Sequence, residues 1–165
     1  MNERVTKFNH IVGKTPLGQI TNDRDVIWQQ IEQQAALVLE EAKEQYDAAV
    51  TRNMTEVLDG HLDTRFTNEY IENLLKAVGV DVAGGWHSVL SNNESKFTTS
   101  FEYAEASSLE YLKQKIDVYI DATDYEGTRY YVVKRFGDNK VMKLKDHVKP
   151  NLGKFVPDDW KKDIE

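Results

Sequence analysis

Apolar residues at Ile27, Ile31, Val38, Ala42 and Ala49, with Gln34 and Gln45 on the same face, have helical spacing. They predict one long helix from about Asp25 to Val50. Thr21, Asn22 and Asp23 are all capping types and mark its start. Arg52-Asn53 breaks the pattern, and Thr55 with Asp59 restarts a second helix, which runs to about Val78. It stops at Gly79, a natural place for a left-handed cap. A third, short helix fits Val82 to Leu90 and ends in the polar run SNNES, and a fourth fits Ser100 to Lys113. Ahead of them, VTKFNHIVG reads as a short arm followed by turn signals at Gly13, Pro16 and Gly18.

The C-terminal pattern is different. Residues 116–122 and 129–136 are β-branched and aromatic, and KVMKL at 140–144 follows Gly137-Asp138-Asn139. Strand-like runs around such a triplet predict a hairpin with a three-residue loop. The stretch holding Pro150, Gly153 and Pro157 reads as an irregular strap. The expected fold is mainly α, an antiparallel helical bundle with a small C-terminal β-hairpin appendage. Residues 1–97 form the helical region, and 98–165 are the remainder of the same domain. The cations and rings of the hairpin (Tyr130, Tyr131, Lys134, Arg135, Lys140, Lys143) are read first as structural, since alternation alone separates them onto two faces.

Composition narrows the function classes. The 165 residues carry 21 Lys and Arg against 28 Asp and Glu, a net charge of −7, which argues against general binding to a nucleic-acid backbone. The chain has no cysteine, so disulfides, thiolate metal sites and a Cys nucleophile are excluded. The sequence shows neither an apolar run long enough to span a membrane nor a signal peptide, and a cytoplasmic location is expected.

The chemistry lies in carboxylates. Glu40, Glu41 and Glu44 sit inside the long helix, with Glu41 beside its apolar stripe, where carboxylates are rarely placed without a partner. In the second helix Asp59, Asp63, Phe66 and Tyr70 form one stripe, flanked by Glu56. The short connection at 51–54 allows antiparallel packing, which brings Glu41 and Glu44 opposite Asp59 and Asp63. Like charges one turn apart repel, and a hard divalent cation removes that cost. A di-iron bundle needs Glu-x-x-His pairs, and none of His10, His61, His87 or His147 follows a glutamate at that spacing. Asn93 and Lys96, three apart after the third helix, suit a nucleotide through amide hydrogen bonds and a point charge on phosphate. Gly-rich phosphate loops are absent.

Taken together, Glu40-Glu41-x-x-Glu44, Glu56 to Asp63, Gly79-Val80-Asp81 and Asn93-x-x-Lys96 resemble the all-α nucleoside triphosphate pyrophosphohydrolases. That superfamily includes MazG-type enzymes, dimeric dUTPases and phosphoribosyl-ATP pyrophosphohydrolase. The VTKFN opening, Arg24 and the late KVMKL look like its phage-type, MazG-like branch. The resemblance implies a MazG-like bundle that hydrolyses the α–β phosphoanhydride of a nucleotide with Mg²⁺ or Mn²⁺ held by Glu41, Glu44, Asp59 and Asp63. Glu40 or Glu44 would orient or deprotonate the attacking water, and Asn93 and Lys96 would contact the nucleotide. It also implies a homodimer or homotetramer with sites near subunit interfaces. One departure stands out. The glutamate expected three residues before Asp63 is Gly60, so Asp59, or the Glu56-x-x-Asp59 frame, supplies the carboxylate, or else metal count or activity is lost. Two other readings stay open, a non-catalytic nucleotide-sequestering protein and a helical oligomerisation module whose acidic stripe faces solvent.

Overall fold

The computed structural model describes residues 2–14 and 24–161. Pro16, Gly18 and the capping run Thr21 to Asp23 lie outside the described residues. Elements follow in the order α1 (Glu3–Ile11), α2 (Arg24–Val50), α3 (Met54–Ala77), α4 (Val82–Glu94), β1 (Phe97–Thr98), α5 (Phe101–Lys113), β2 (Val118–Tyr125) and β3 (Thr128–Arg135). The fold is mainly helical, with a small antiparallel sheet. No helix among the described residues is long and apolar enough to cross a membrane. The chain divides into two compact units, Met1–Val82 with Gly153–Glu165, and Ala83–Leu152.

In the first unit α2 and α3 form a helical hairpin whose connection is set by local chemistry. Arg52 adopts a left-handed φ of 59°, and Asn53 then caps α3 by accepting from Glu56 N. At the other end α3 closes on Val78, and Gly79 takes φ 83° as expected. The core is Val5, Ile27, Tyr70 and Leu74, with Val26, Ile31, Phe66, Val78 and Trp160 packed against it. Trp160, in a 3₁₀ turn at Asp158–Trp160, stands 6.1 Å from the Trp28 ring and has Arg24 over its face at 5.0 Å. The strap anticipated from Pro150, Gly153 and Pro157 is therefore short 3₁₀ turns, Leu152–Phe155 and Asp158–Trp160.

The supposed N-terminal arm is helix α1. Asn2 caps it by accepting from Arg4 N and Val5 N. Asn73 of α3 holds it by accepting from Asn2 N at 3.3 Å and donating to Thr6 Oγ1 at 3.0 Å. Its buried face is only Val5 and Asn9, one helical turn, too short a repeat to stand out in the sequence.

In the second unit Ala104, Val118, Val133 and Leu144 form the core. The sheet order is β1-β3-β2, both pairings antiparallel. The long hairpin is β2–β3, with Tyr125 opposite Thr128, and its two turn residues Glu126 and Gly127 have φ 49° and 76°. Two successive left-handed residues match the right-handed twist of the strands they join. The hairpin expected around Gly137-Asp138-Asn139 is much reduced. The turn exists, with Gly137 at φ 95° and Asn139 at 54°, but 140–144 pairs with β3 only at the Lys134–Val141 bridge. Two of the cations of this region are occupied structurally: Lys134 pairs with Asp121 at 2.5 Å, and Arg135 Nε donates to Asp138 at 3.0 Å.

Candidate functional site

The seam between α2 and α3 has a period of seven. On α2 it runs through Ile27, Gln34, Glu41 and Ala48, and on α3 through Gly60, Thr67 and Leu74. The expected stripe holds at Ile27, Ile31, Gln34, Val38 and Gln45, which are buried or half-buried, and fails at Ala42 and Ala49, which are exposed, Ala48 being buried instead. A helix pair packed along its length keeps a 3.5-residue repeat at the contact, which turns the seam relative to a straight 3.6 stripe. The seam is unusually polar. Tyr70 donates to Gln30 at 3.0 Å with both residues buried, and Lys14 donates to the buried Gln34 while standing 4.7 Å from the Tyr70 ring centre. Burial holds the Lys14 ammonium below its ordinary 10.5.

At Gly60 α3 passes close to the backbone of α2. A Cβ there would lie 3.0 Å from the N, Cα and Cβ of Gln45, so the glutamate that the resemblance expects at this position has no room. One turn along each antiparallel helix, the same register sets Thr64 level with Glu41. The Thr64 Oγ1 atom is buried and has no hydrogen-bond partner among the described residues. Such an orphan hydroxyl in a seam is where a water or an ion is to be looked for. Sequence reading missed Thr64 because threonine at a helix seam is ordinarily satisfied by its own backbone, as Thr67 is through Asp63 O and Thr64 O, both at 2.9 Å.

Glu41 is half-buried on this seam, while Glu40, Glu44, Asp59 and Asp63 are exposed around it. The Glu41 carboxyl is held above its ordinary 4.5, first by desolvation, then by the charges of Asp63, Glu44, Glu40 and Asp59 in that order. The two helices thus bring together the carboxylates singled out from the sequence, with Asp63 the largest charge acting on Glu41. Asp59 and Asp63 both lie exposed on the rim, where water lowers the cost of their repulsion. Among the described residues no group of three or more His, Cys, Asp or Glu side chains is close enough to hold a metal ion. By chemical type alone, hard carboxylate oxygens suit a Mg²⁺ that keeps most of its own waters and offer nothing to a soft metal.

Asn93 and Lys96 belong to the second unit. Helix α4 runs on to Glu94, four residues past the expected end, because the SNNES side chains satisfy the last turn themselves. Asn93 Nδ2 donates to Val89 O at 3.0 Å, and Ser95 Oγ donates to Asn92 O at 2.8 Å. Asn93 therefore stands on the helix rather than after it. Lys96 Nζ donates to Asn93 Oδ1 at 2.6 Å, so the two residues are together, as their spacing requires, and bonded to each other. No protein-family model, curated protein or solved structure matches this chain.

Proposed function

We propose that this chain is a cytoplasmic, Mg²⁺-dependent nucleoside triphosphate pyrophosphohydrolase of the MazG-like kind. It would cleave the α–β anhydride of a (deoxy)nucleoside triphosphate to monophosphate and pyrophosphate. The observation that carries this reading is Glu41, a carboxylate on a helix seam, destabilised in its charged form by burial and four neighbouring acids. A site that disfavours its own charge gains most from a bound cation. Glu41, Glu44, Asp59 and Asp63 would hold the ion. Bound there, Mg²⁺ would neutralise phosphate charge and acidify a coordinated water. Glu40, exposed beside Glu41, or Glu44 takes the proton from the attacking water. In the second unit Asn93 and Lys96 are the proposed nucleotide contacts, exchanging their mutual hydrogen bond for phosphate or base.

The test is incubation of the purified protein with a panel of dNTPs and Mg²⁺ or Mn²⁺, reading pyrophosphate. Release from at least one substrate is expected, and silence across the panel with either metal retires the hydrolase. The close approach at Gly60 favours a second reading, nucleotide binding without cleavage, because it removes one expected carboxylate. Calorimetry separates the two, since a sequestering protein binds the nucleotide and returns it whole.

The partner we propose is a second copy of the chain. Large apolar side chains stand exposed along the hairpin of α2 and α3, among them Leu39, Tyr46, Val50, Met54 and Leu58, with Met54 77% and Leu39 73% accessible. Apolar surface of that kind on a charged chain marks an association face. Sedimentation at micromolar concentration is expected to give the mass of a dimer or tetramer, and a single-chain mass would refute this.

A further inference from the structure

The second unit holds a cyclic hydrogen-bond network whose closure depends on one imidazole. Asn92 Nδ2 donates to Val148 O at 2.7 Å, which fixes which end of that amide is nitrogen. The same Nδ2 lies 3.3 Å from His147 Nε2. An amide nitrogen only donates, so Nε2 must be the acceptor and bare of hydrogen. The ring proton of a neutral imidazole is then on Nδ1, which lies 3.1 Å from Ser95 Oγ and donates to it. Ser95 passes its own hydrogen to Asn92 O at 2.8 Å, and the circuit from Asn92 through His147 and Ser95 back to Asn92 is complete. This direction of bonding also excludes Ser95 as a His-activated nucleophile, because the imidazole donates to the hydroxyl.

We propose that His147 is a pH-gated latch, closing the segment His147–Pro150 onto the end of α4 when neutral and releasing it when protonated, while Leu144 in the core and Lys145, whose N–H donates to Ser107 Oγ at 3.0 Å, stay in place. In the imidazolium both ring nitrogens donate, so Nε2–H would point at the Asn92 donor and the circuit would break. The charged groups around the ring add to this. Burial first, then the charges of Lys143 and of Lys96 beyond the end of α4, hold the His147 pKa below the ordinary 6.5. Lys145 stands over the Tyr103 ring of α5 at 5.1 Å, and Tyr103 donates to Asp146, an acid beside the latch, at 3.2 Å. Lys149 lines the same cleft. A histidine whose folded pKa is depressed contributes stability that is full at neutral pH and is lost as pH falls through 6.5. Between α4 and the segment lies a cleft of about 400 Å³ with Ser88, Ser91, Asn92 and Ser95 on one wall and His147 and Val148 on the other, so release of the segment would dismantle it.

Asn93 and Lys96 lie on the turn that the latch holds, so His147 is a positioning residue for them. That consequence, unlike the latch, rests on the proposed function. The experiment is an NMR titration of the full chain from pH 8 to 5 without nucleotide. The amides of 92–96 and 147–149 are expected to shift together with the His147 ring at one midpoint below 6.5, with those of Leu144 and Lys145 steady. In His147→Gln, neutral throughout, this transition disappears. In Asn92→Asp, the donor to Val148 O is lost and a carboxylate beside Nε2 favours the imidazolium, so the His147 midpoint rises by about 1 unit or more and the segment is released at a higher pH. A native midpoint at or above 6.5, or a transition that survives in His147→Gln, overturns the latch. If the transition is present as described and the KM for a nucleotide stays flat across it, the latch stands, and Asn93 and Lys96 lose their assigned role.

Discussion

Glu41→Gln will release pyrophosphate at least ~100-fold more slowly than the unaltered protein, yet melt at a higher temperature in metal-free buffer at pH 7. Loss of a group that merely orients a metal ligand typically costs about 10–100-fold, and a ligand itself costs no less. The gain in stability comes from the sign of the electrostatics. The Glu41 carboxyl is raised above 4.5 in the folded protein, so folding disfavours its ionised form. That penalty is complete above the folded pKa and vanishes below the unfolded value, so the stabilisation should fade as the pH falls toward 4. Added Mg²⁺ should reverse the ranking, because an ion that binds only the native carboxylates stabilises by mass action and the Gln variant has lost part of its site. Asp63→Asn should lose comparable turnover, Asp63 being the largest charge acting on Glu41, with a smaller gain in melting temperature, since it lies on the rim. Two variants that melt normally and turn over at the native rate would show the acidic face to be a bystander. Variants that are inactive and no more stable without metal would break the electrostatic argument, leaving the proposed chemistry in place.

The helices and their partners in this arrangement were legible in the sequence because they depend on periodicity and punctuation. The long α2, its break at Arg52-Asn53, the stop at Gly79 and the Ser100 cap of α5 all rest on local signals that packing did not overrule. The facing of Glu41 and Asp63 followed from those boundaries alone, given a short connection between two antiparallel rods. What could not be read depends on contacts distant in the chain. Helix α1 is held by Asn73, more than sixty residues away, and β1 is two residues long and exists only because β3 pairs with it. The strand at 140–144 was overestimated because KVMKL has the composition of a strand, whereas a single bridge suffices once Leu144 is buried in the core. Thr64 and the His147 circuit were invisible for another reason: an unsatisfied hydroxyl and a ring of mutually dependent hydrogen bonds have no composition or period.

Gly60→Glu, which would restore the glutamate of the family pattern, is expected to destabilise the protein by about 3 kcal/mol or more and to rescue no activity. Gly60→Ala isolates the first part of that cost. Alanine in a helix is favoured over glycine by about 1 kcal/mol, so with open space around it the substitution would stabilise. Here the new Cβ lies 3.0 Å from two backbone atoms and the Cβ of Gln45, and backbone cannot swing aside as a long side chain can. Overpacking of that kind costs roughly 1–3 kcal/mol, so a net loss of about 1 kcal/mol in urea unfolding is the expected balance. Glutamate adds the rest, because its carboxylate would enter a seam where Glu41 already resists ionisation under the influence of Asp63 and three other acids. A neutral or stabilising Gly60→Ala would mean that α2 and α3 stand further apart than described, and the register that sets Thr64 level with Glu41 would fail with it. A damaging Gly60→Ala has the opposite consequence for function. Position 60 then cannot have held an acid in this packing, and any metal chemistry on this face has to work with Glu41, Glu44, Asp59 and Asp63 as the helices present them.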